Sequence, residues 1–175
     1  METTDFLRDS FKRLHASLET ATGDLTTEQL NFTPDEAHHS IAWILWHAFR
    51  TEDLIVSRVL RGVDERWSQG GWAQRLGLPE AGQGTGHSPE QAHSIHIDDP
   101  AGFLEYARAV AADVDGYLAG LSPADLEVLK PWRAAPSGQE PVSAIVGNHV
   151  MTHIYGHRNE IYWLRSLQGL KGSPN

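Results

Sequence analysis

The stretch NHVMTHIYGHRNEIYWLRSL places His153 and His157 four residues apart, with Glu160 three residues further on. On an α-helix, residues three and four apart share a face, so the two imidazoles stack one turn apart with the carboxylate beside the second. Leu164 continues the same narrow arc, while Ile145, Val146, Val150, Ile154 and Ile161 broaden the apolar surface around it. Two chemistries fit such a pair: metal ligation, or two polar side chains hydrogen-bonded at the edge of a core. The pair is not the HExxH zincin pattern, because Ile154 stands where those proteases carry a general base. Gly156, inside the helix, costs about 1 kcal/mol relative to alanine. A glycine on that face leaves room for a neighbouring backbone or a bound group.

A third imidazole changes the balance. His47 lies in SIAWILWHAFRTEDL, flanked by Trp43, Trp46 and Phe49, in a different helical stretch. Helix bundles build metal sites by projecting ligands inward from facing helices, often two from one helix. Three neutral imidazoles leave coordination positions for water or substrate, the arrangement of catalytic sites. Zn, Ni, Fe(II), Co and Mn are all compatible with that donor set. For Glu160, one turn beyond His157, two roles are equally open: general base, or a carboxylate that orients an imidazole. Arg50 falls nearest the His47 face, whereas Glu52 and Asp53 point away and read as surface or inter-helix salt bridges. Trp43, Trp46, Trp67 and Trp72 could line a pocket mouth, although aromatic residues near a bundle seam are usually core.

The composition narrows the function further. There are ten histidines, of which His15, His38, His39, His87, His93 and His96 sit in polar or loop-like surroundings and read as surface residues. His47, His149, His153 and His157 occupy apolar, helix-patterned stretches. The absence of cysteine excludes disulfides, thiolate nucleophiles and Cys-based zinc sites. A net charge of −9 without any Lys/Arg run argues against binding nucleic acid or an anionic membrane surface. The start of the chain lacks a signal-peptide pattern, and no apolar run approaches ~18 residues, so the expected location is cytoplasmic. At 175 residues with six Trp, the chain reads as one domain, residues 1–175, with a buried core.

The elements that must position these residues follow from apolar spacing. The pattern predicts long helices over about Thr4 to Ala21, Ser40 to Leu60, Pro100 to Leu121 and Val142 to Leu167. LTTEQLNFTPDEAHHS and KPWRAAPSGQEP read as connectors without β-like alternation. Residues 62–98 are Gly-rich and irregular, with a short helix expected after Ser88-Pro89-Glu90-Gln91, a capping box. Loops of this length inside a domain are often functional. The expected fold is all-α, a four-helix bundle with a long loop between the second and third long helices.

SIAWILWHAFRTED, the WAQRLGLP…GTGHSPEQ segment and the terminal HxxxHRNEIYWLRSLQG together resemble the DinB-like (DinB/YfiT-like) metalloenzyme superfamily, in this order and over about Leu25 to Gly172. The resemblance implies a four-helix bundle holding a divalent metal through His47, His153 and His157. It also implies that His149 is not a ligand, and that the 62–98 loop covers the metal. Many relatives continue the second ligand of the pair with Arg-Gly-Gln or Gly-Glu; here Arg158-Asn159-Glu160 follows His157. The family includes thiol-S-transferases using bacillithiol or mycothiol and a mycothiol-dependent maleylpyruvate isomerase. The implied function is a metal-dependent enzyme of hydrolase or thiol-S-transferase type, acting on a small-molecule substrate by activating water or a low-molecular-weight thiol. The alternative is a non-catalytic, stress-associated dimer that binds a metal or small ligand; a homodimer fits either.

Overall fold

The computed structural model describes residues 2–173 and is mostly helical. Helix α1 (Thr3–Thr22) buries Leu7, Phe11, Leu14 and Leu18, the stripe expected from their spacing. The following connector contains an unexpected short helix, α2 (Thr27–Asn31). Thr26 and Gln29 form its capping box, each side chain bonding the other's backbone N–H. Helix α3 (Ile41–Leu54), capped by the Ser40 hydroxyl, runs on as a π-helical stretch, Ile55–Arg61. Gly62 ends it at φ 68°, the left-handed conformation that glycine adopts without a Cβ penalty.

Residues 62–98 are more regular than their composition suggests. They hold α4 (Arg66–Gln69), α5 (Trp72–Leu76) and α6 (Pro89–His93), the last opened by the expected Ser88–Gln91 capping box. Trp67 and Trp72 tie the segment down by packing on Tyr106, with ring centroids 4.8 and 5.8 Å away. They are core residues, apart from any pocket mouth. Helix α7 (Pro100–Ala119) follows, then a 3₁₀ turn, Asp125–Glu127. The expected KPWRAAPSGQEP loop is instead a small hairpin, β1 (Leu129–Pro131) paired antiparallel with β2 (Gln139–Pro141). Three-residue strands are too short to show period-two alternation. The last long span comprises α8 (Val142–Ala144), a π-helical stretch (Ile145–Met151) and α9 (Thr152–Leu167). Its ends fall where the apolar pattern puts them.

The long helices share one core. α1 packs against α7 and α9, and α3 packs against the same two. Leu14, Leu18, Trp46, Tyr106, Ile145 and Ile154 are fully enclosed between them. The α3–α9 seam is where His47 can meet His153 and His157. No helix among the described residues is long and apolar enough to cross a membrane.

Buried polar groups brace α3. Asp53 accepts hydrogen bonds from the backbone N–H of Arg66 (2.9 Å) and Trp67 (2.8 Å), so it anchors α4 as well as meeting Arg50 at 3.9 Å. The Arg50 guanidinium turns to Glu65 and to the Trp67 ring. Glu52, fully buried, has its carboxylate 3.0 Å from His15 Nε2. His15 is therefore not a free surface residue: four residues after Phe11, it flanks the apolar stripe and turns inward.

Candidate metal centre

Across the α3–α9 seam, His153 Nε2 lies 3.1 Å from His47 Nε2 and 3.0 Å from His157 Nε2. Their ligand atoms all fall within 4.8 Å of one another, a group that could hold a metal ion. The other ring nitrogens explain how the imidazoles are aimed. His47 Nδ1 donates to the backbone carbonyl of Gln83. His157 Nδ1 donates to Glu160 Oε2 at 2.7 Å. Each bond fixes the tautomer with the proton on Nδ1 and leaves Nε2 as a bare lone pair.

That tautomer pattern tests the fit to a cation. His153 Nε2 carries at most one proton, which satisfies one neighbouring lone pair and leaves the other facing nitrogen at about 3 Å. Protonating the cluster is no remedy. Burial, joined by the adjoining histidines, pushes His153 down to about 4. Burial also takes His47 to about 4, against the opposing pull of the Gln83 carbonyl. A divalent cation satisfies all three lone pairs together. Tetrahedral Zn–N bonds of ~2.0–2.1 Å set nitrogens about 3.3 Å apart, close to the 3.1 and 3.0 Å from His153 Nε2 to its two neighbours. His153 Nδ1 is buried without a partner, so this imidazole lacks the outer hydrogen bond that its neighbours have.

The walls combine expected and unexpected residues. Trp43 stacks on His47 with centroids 4.7 Å apart and meets His157 edge-on at 6.5 Å. His39, expected at the surface, stacks on the far face of that stretch of aromatics, 3.8 Å from Trp43. His87 packs against Trp46 at 5.7 Å and receives a 3.4 Å bond from Trp43 Nε1. Trp46 itself is fully enclosed core.

Gln83 has no signature of its own, because any residue has a carbonyl. Its indirect signal is the GQGTG run: Gly82 and Gly84 adopt φ 83° and 94°. A Cβ on Gly84 would come within 3.0–3.2 Å of Trp43 and Trp46. Glycine there lets the backbone press onto the two indoles and bring the carbonyl to His47.

His149 goes elsewhere. Its Nε2 lies 2.8 Å from Glu140 and its ring stacks on Trp132 at 4.3 Å, fastening the hairpin to the last helix. Arg50 is likewise engaged with Glu65. Gly156 is exposed, and a Cβ there would meet nothing within 4 Å, so no neighbouring backbone approaches its face.

A family model described as the DinB superfamily matches residues 10–161. Among solved structures, a conserved protein from Enterococcus faecalis has a similar fold, with a TM-score of 0.84 and 21% sequence identity over 95% of this chain and 97% of that one. No curated protein matches the sequence.

Proposed function

The chain belongs to the DinB superfamily, and on that premise we propose that His47, His153 and His157 hold a divalent transition metal in a metal-dependent enzyme of hydrolase or thiol-S-transferase type. We read the four long helical spans as the family's bundle, with the centre on its α3–α9 seam. One observation carries the proposal: three Nε2 atoms converge while His47 and His157 both commit their Nδ1 protons outward.

A bound divalent ion would supply a coordinated water acidified towards pH ~7, or hold a thiol as its thiolate. The residues of the chain set the frame for that chemistry. Gln83 and Glu160 hold the Nδ1 protons of His47 and His157, which fixes ring orientation and sharpens ligand basicity. Trp43 covers one face of His47 and keeps water from it. The Glu160 carboxyl is held below its ordinary range chiefly by the bond to His157, against the opposing effect of burial. That arrangement supports an orienting role over that of general base. Because the protein has no cysteine, the thiol would arrive as a co-substrate such as bacillithiol or mycothiol.

Elemental analysis of the untagged protein tests the centre, beside a His153→Ala/His157→Ala variant. Near-stoichiometric metal in the wild type, lost in the variant with helical circular dichroism retained, is the expected result. A wild type that stays empty after incubation with Zn, Ni, Mn, Co and Fe(II) overturns the proposal. With metal established, thiol-transfer and hydrolysis assays against electrophilic and ester substrates discriminate the two reaction types.

A further inference from the structure

A cavity lies away from the three histidines, between α1 and α7, with α3 as its floor. It encloses about 490 Å³, within the ~300–1,000 Å³ usual for small-ligand sites. Leu18, Leu45, Phe49, Ile97 and Phe103 are buried apolar residues of its wall, and exposed Ala16 and Ala101 also line it. Leu45 and Phe49 each stand two residues from His47, about 200° round the helix, so this cavity and the metal centre use opposite faces of α3. None of the three triad residues lines it.

His15 is the polar feature of the wall. Its ring sits between Phe11 and Phe49, at 5.9 Å from each, and its Nε2 is taken by the fully buried Glu52 carboxylate at 3.0 Å. Replacing a buried ion pair by apolar residues is often neutral or stabilising, so stability alone is a weak reason for one on a cavity wall. The nitrogen left for a ligand is Nδ1. Burial disfavours the charged ring, but the Glu52 charge and hydrogen bond together outweigh it and raise the pKa, which favours the doubly protonated ring in which Nδ1 donates. The remaining charges cancel in the same way, because Arg108 at the rim bonds Glu19. The Thr22 hydroxyl already donates to the Leu18 carbonyl. An ionic ligand would bring a charge with no counterpart, whereas a neutral acceptor would meet an available donor.

We propose that the α1–α7 cavity is a second binding site, separate from the metal centre, for a small uncharged molecule with an apolar body and one carbonyl-type acceptor received by His15. Neither the family assignment nor the metal-dependent chemistry supplies this site.

The test uses the full chain and two fluorescent naphthalenes. The first is 6-propionyl-2-dimethylaminonaphthalene, a ketone whose emission shifts to the blue in apolar surroundings; the second is 2-dimethylaminonaphthalene, which lacks the carbonyl. The wild type is expected to bind one ketone per chain, more tightly than the carbonyl-free compound. Ala111→Phe, at a half-buried lining position, fills the cavity and weakens binding about tenfold or more. A His15→Phe/Glu52→Leu variant keeps the apolar walls and binds the two naphthalenes equally. His153→Ala/His157→Ala leaves ketone binding unchanged, which separates this site from the metal centre. The proposal fails if the wild type shows no saturable binding or no preference for the ketone. It fails also if Ala111→Phe binds as the wild type does, or if the triad variant abolishes binding. Should the His15/Glu52 variant not fold, the ketone preference and the Ala111→Phe result still decide.

Discussion

Replacing Glu160 by Gln isolates the orienting role proposed for this carboxylate. Gln keeps an acceptor oxygen but removes the negative charge, so the 2.7 Å bond to His157 Nδ1 changes from charge-assisted to neutral. Bonds of the first kind are roughly twice as strong as the second. Changing an outer partner of a ligating histidine typically costs 10–100-fold in metal affinity. The Glu160 side chain is 55% exposed, and water can replace part of its contribution. The lower end therefore applies: about tenfold weaker metal binding, or about 1.4 kcal/mol. Competition against a chromogenic chelator measures the affinity for Zn, and the visible spectrum of the Co form reports the ligand field directly. A purely structural loss would move neither while leaving the helical signal intact. Affinity and spectrum within twofold of wild type would refute the reasoning. If both stay fixed while turnover collapses, Glu160 acts as a base instead.

Three further outcomes follow from groups outside the three proposed ligands. Gly156→Ala should raise stability by about 1 kcal/mol with metal content unchanged, because the new methyl enters open space; a lower melting temperature or lost metal would show that the glycine is needed. Asp53→Ala should cost about 1–3 kcal/mol by stranding the backbone N–H groups of Arg66 and Trp67, and an unchanged urea midpoint would contradict the anchoring of α4. For His15, burial lowers the pKa but Glu52 raises it further, so the folded value stands above the ordinary 6.5. The protonated pair thus stabilises fully below the unfolded pKa, and its contribution is lost as pH rises through the folded one. The melting-temperature advantage of wild type over His15→Gln should be larger at pH 6 than at pH 9, and a gap that is flat or grows with pH contradicts the pairing.

Much of the helical framework was legible because long amphipathic helices write their period into the sequence. The spans ending at Gly62 and at Leu167 illustrate this: a glycine stop and a continuous apolar set mark their limits. Short elements were not legible, for physical reasons that differ. The hairpin at Leu129–Pro131 is held by pairing to a strand eight residues away, with no alternation of its own. Residues 62–98 look like a loose loop by composition, yet Trp67 and Trp72 fix them by tertiary packing on Tyr106. His15 was misplaced because local polarity says nothing about a buried carboxylate thirty-seven residues later in the chain.

The centre itself divides along the same line. The meeting of His47 with the HxxxH pair could be anticipated from residue type and helical spacing, whereas the atoms that aim the rings could not. Gln83 contributes a main-chain oxygen, visible only through the glycines that bring it there. The divergence of His149 has a separate cause. On an uninterrupted α-helix, positions 149, 153 and 157 would lie along one face and offer three imidazoles in a row. The π-helical stretch Ile145–Met151 interrupts that register: the Thr152 N–H and hydroxyl both bond the Gly147 carbonyl, the former five residues back. A π turn changes the angular step between residues and is often found beside functional sites. Here His149 meets Glu140 and Trp132, while His153 and His157 face His47. The backbone irregularity thus divides the three histidines of the last span into a pair that meets His47 and one that fastens the hairpin, a division that periodicity alone would have drawn differently.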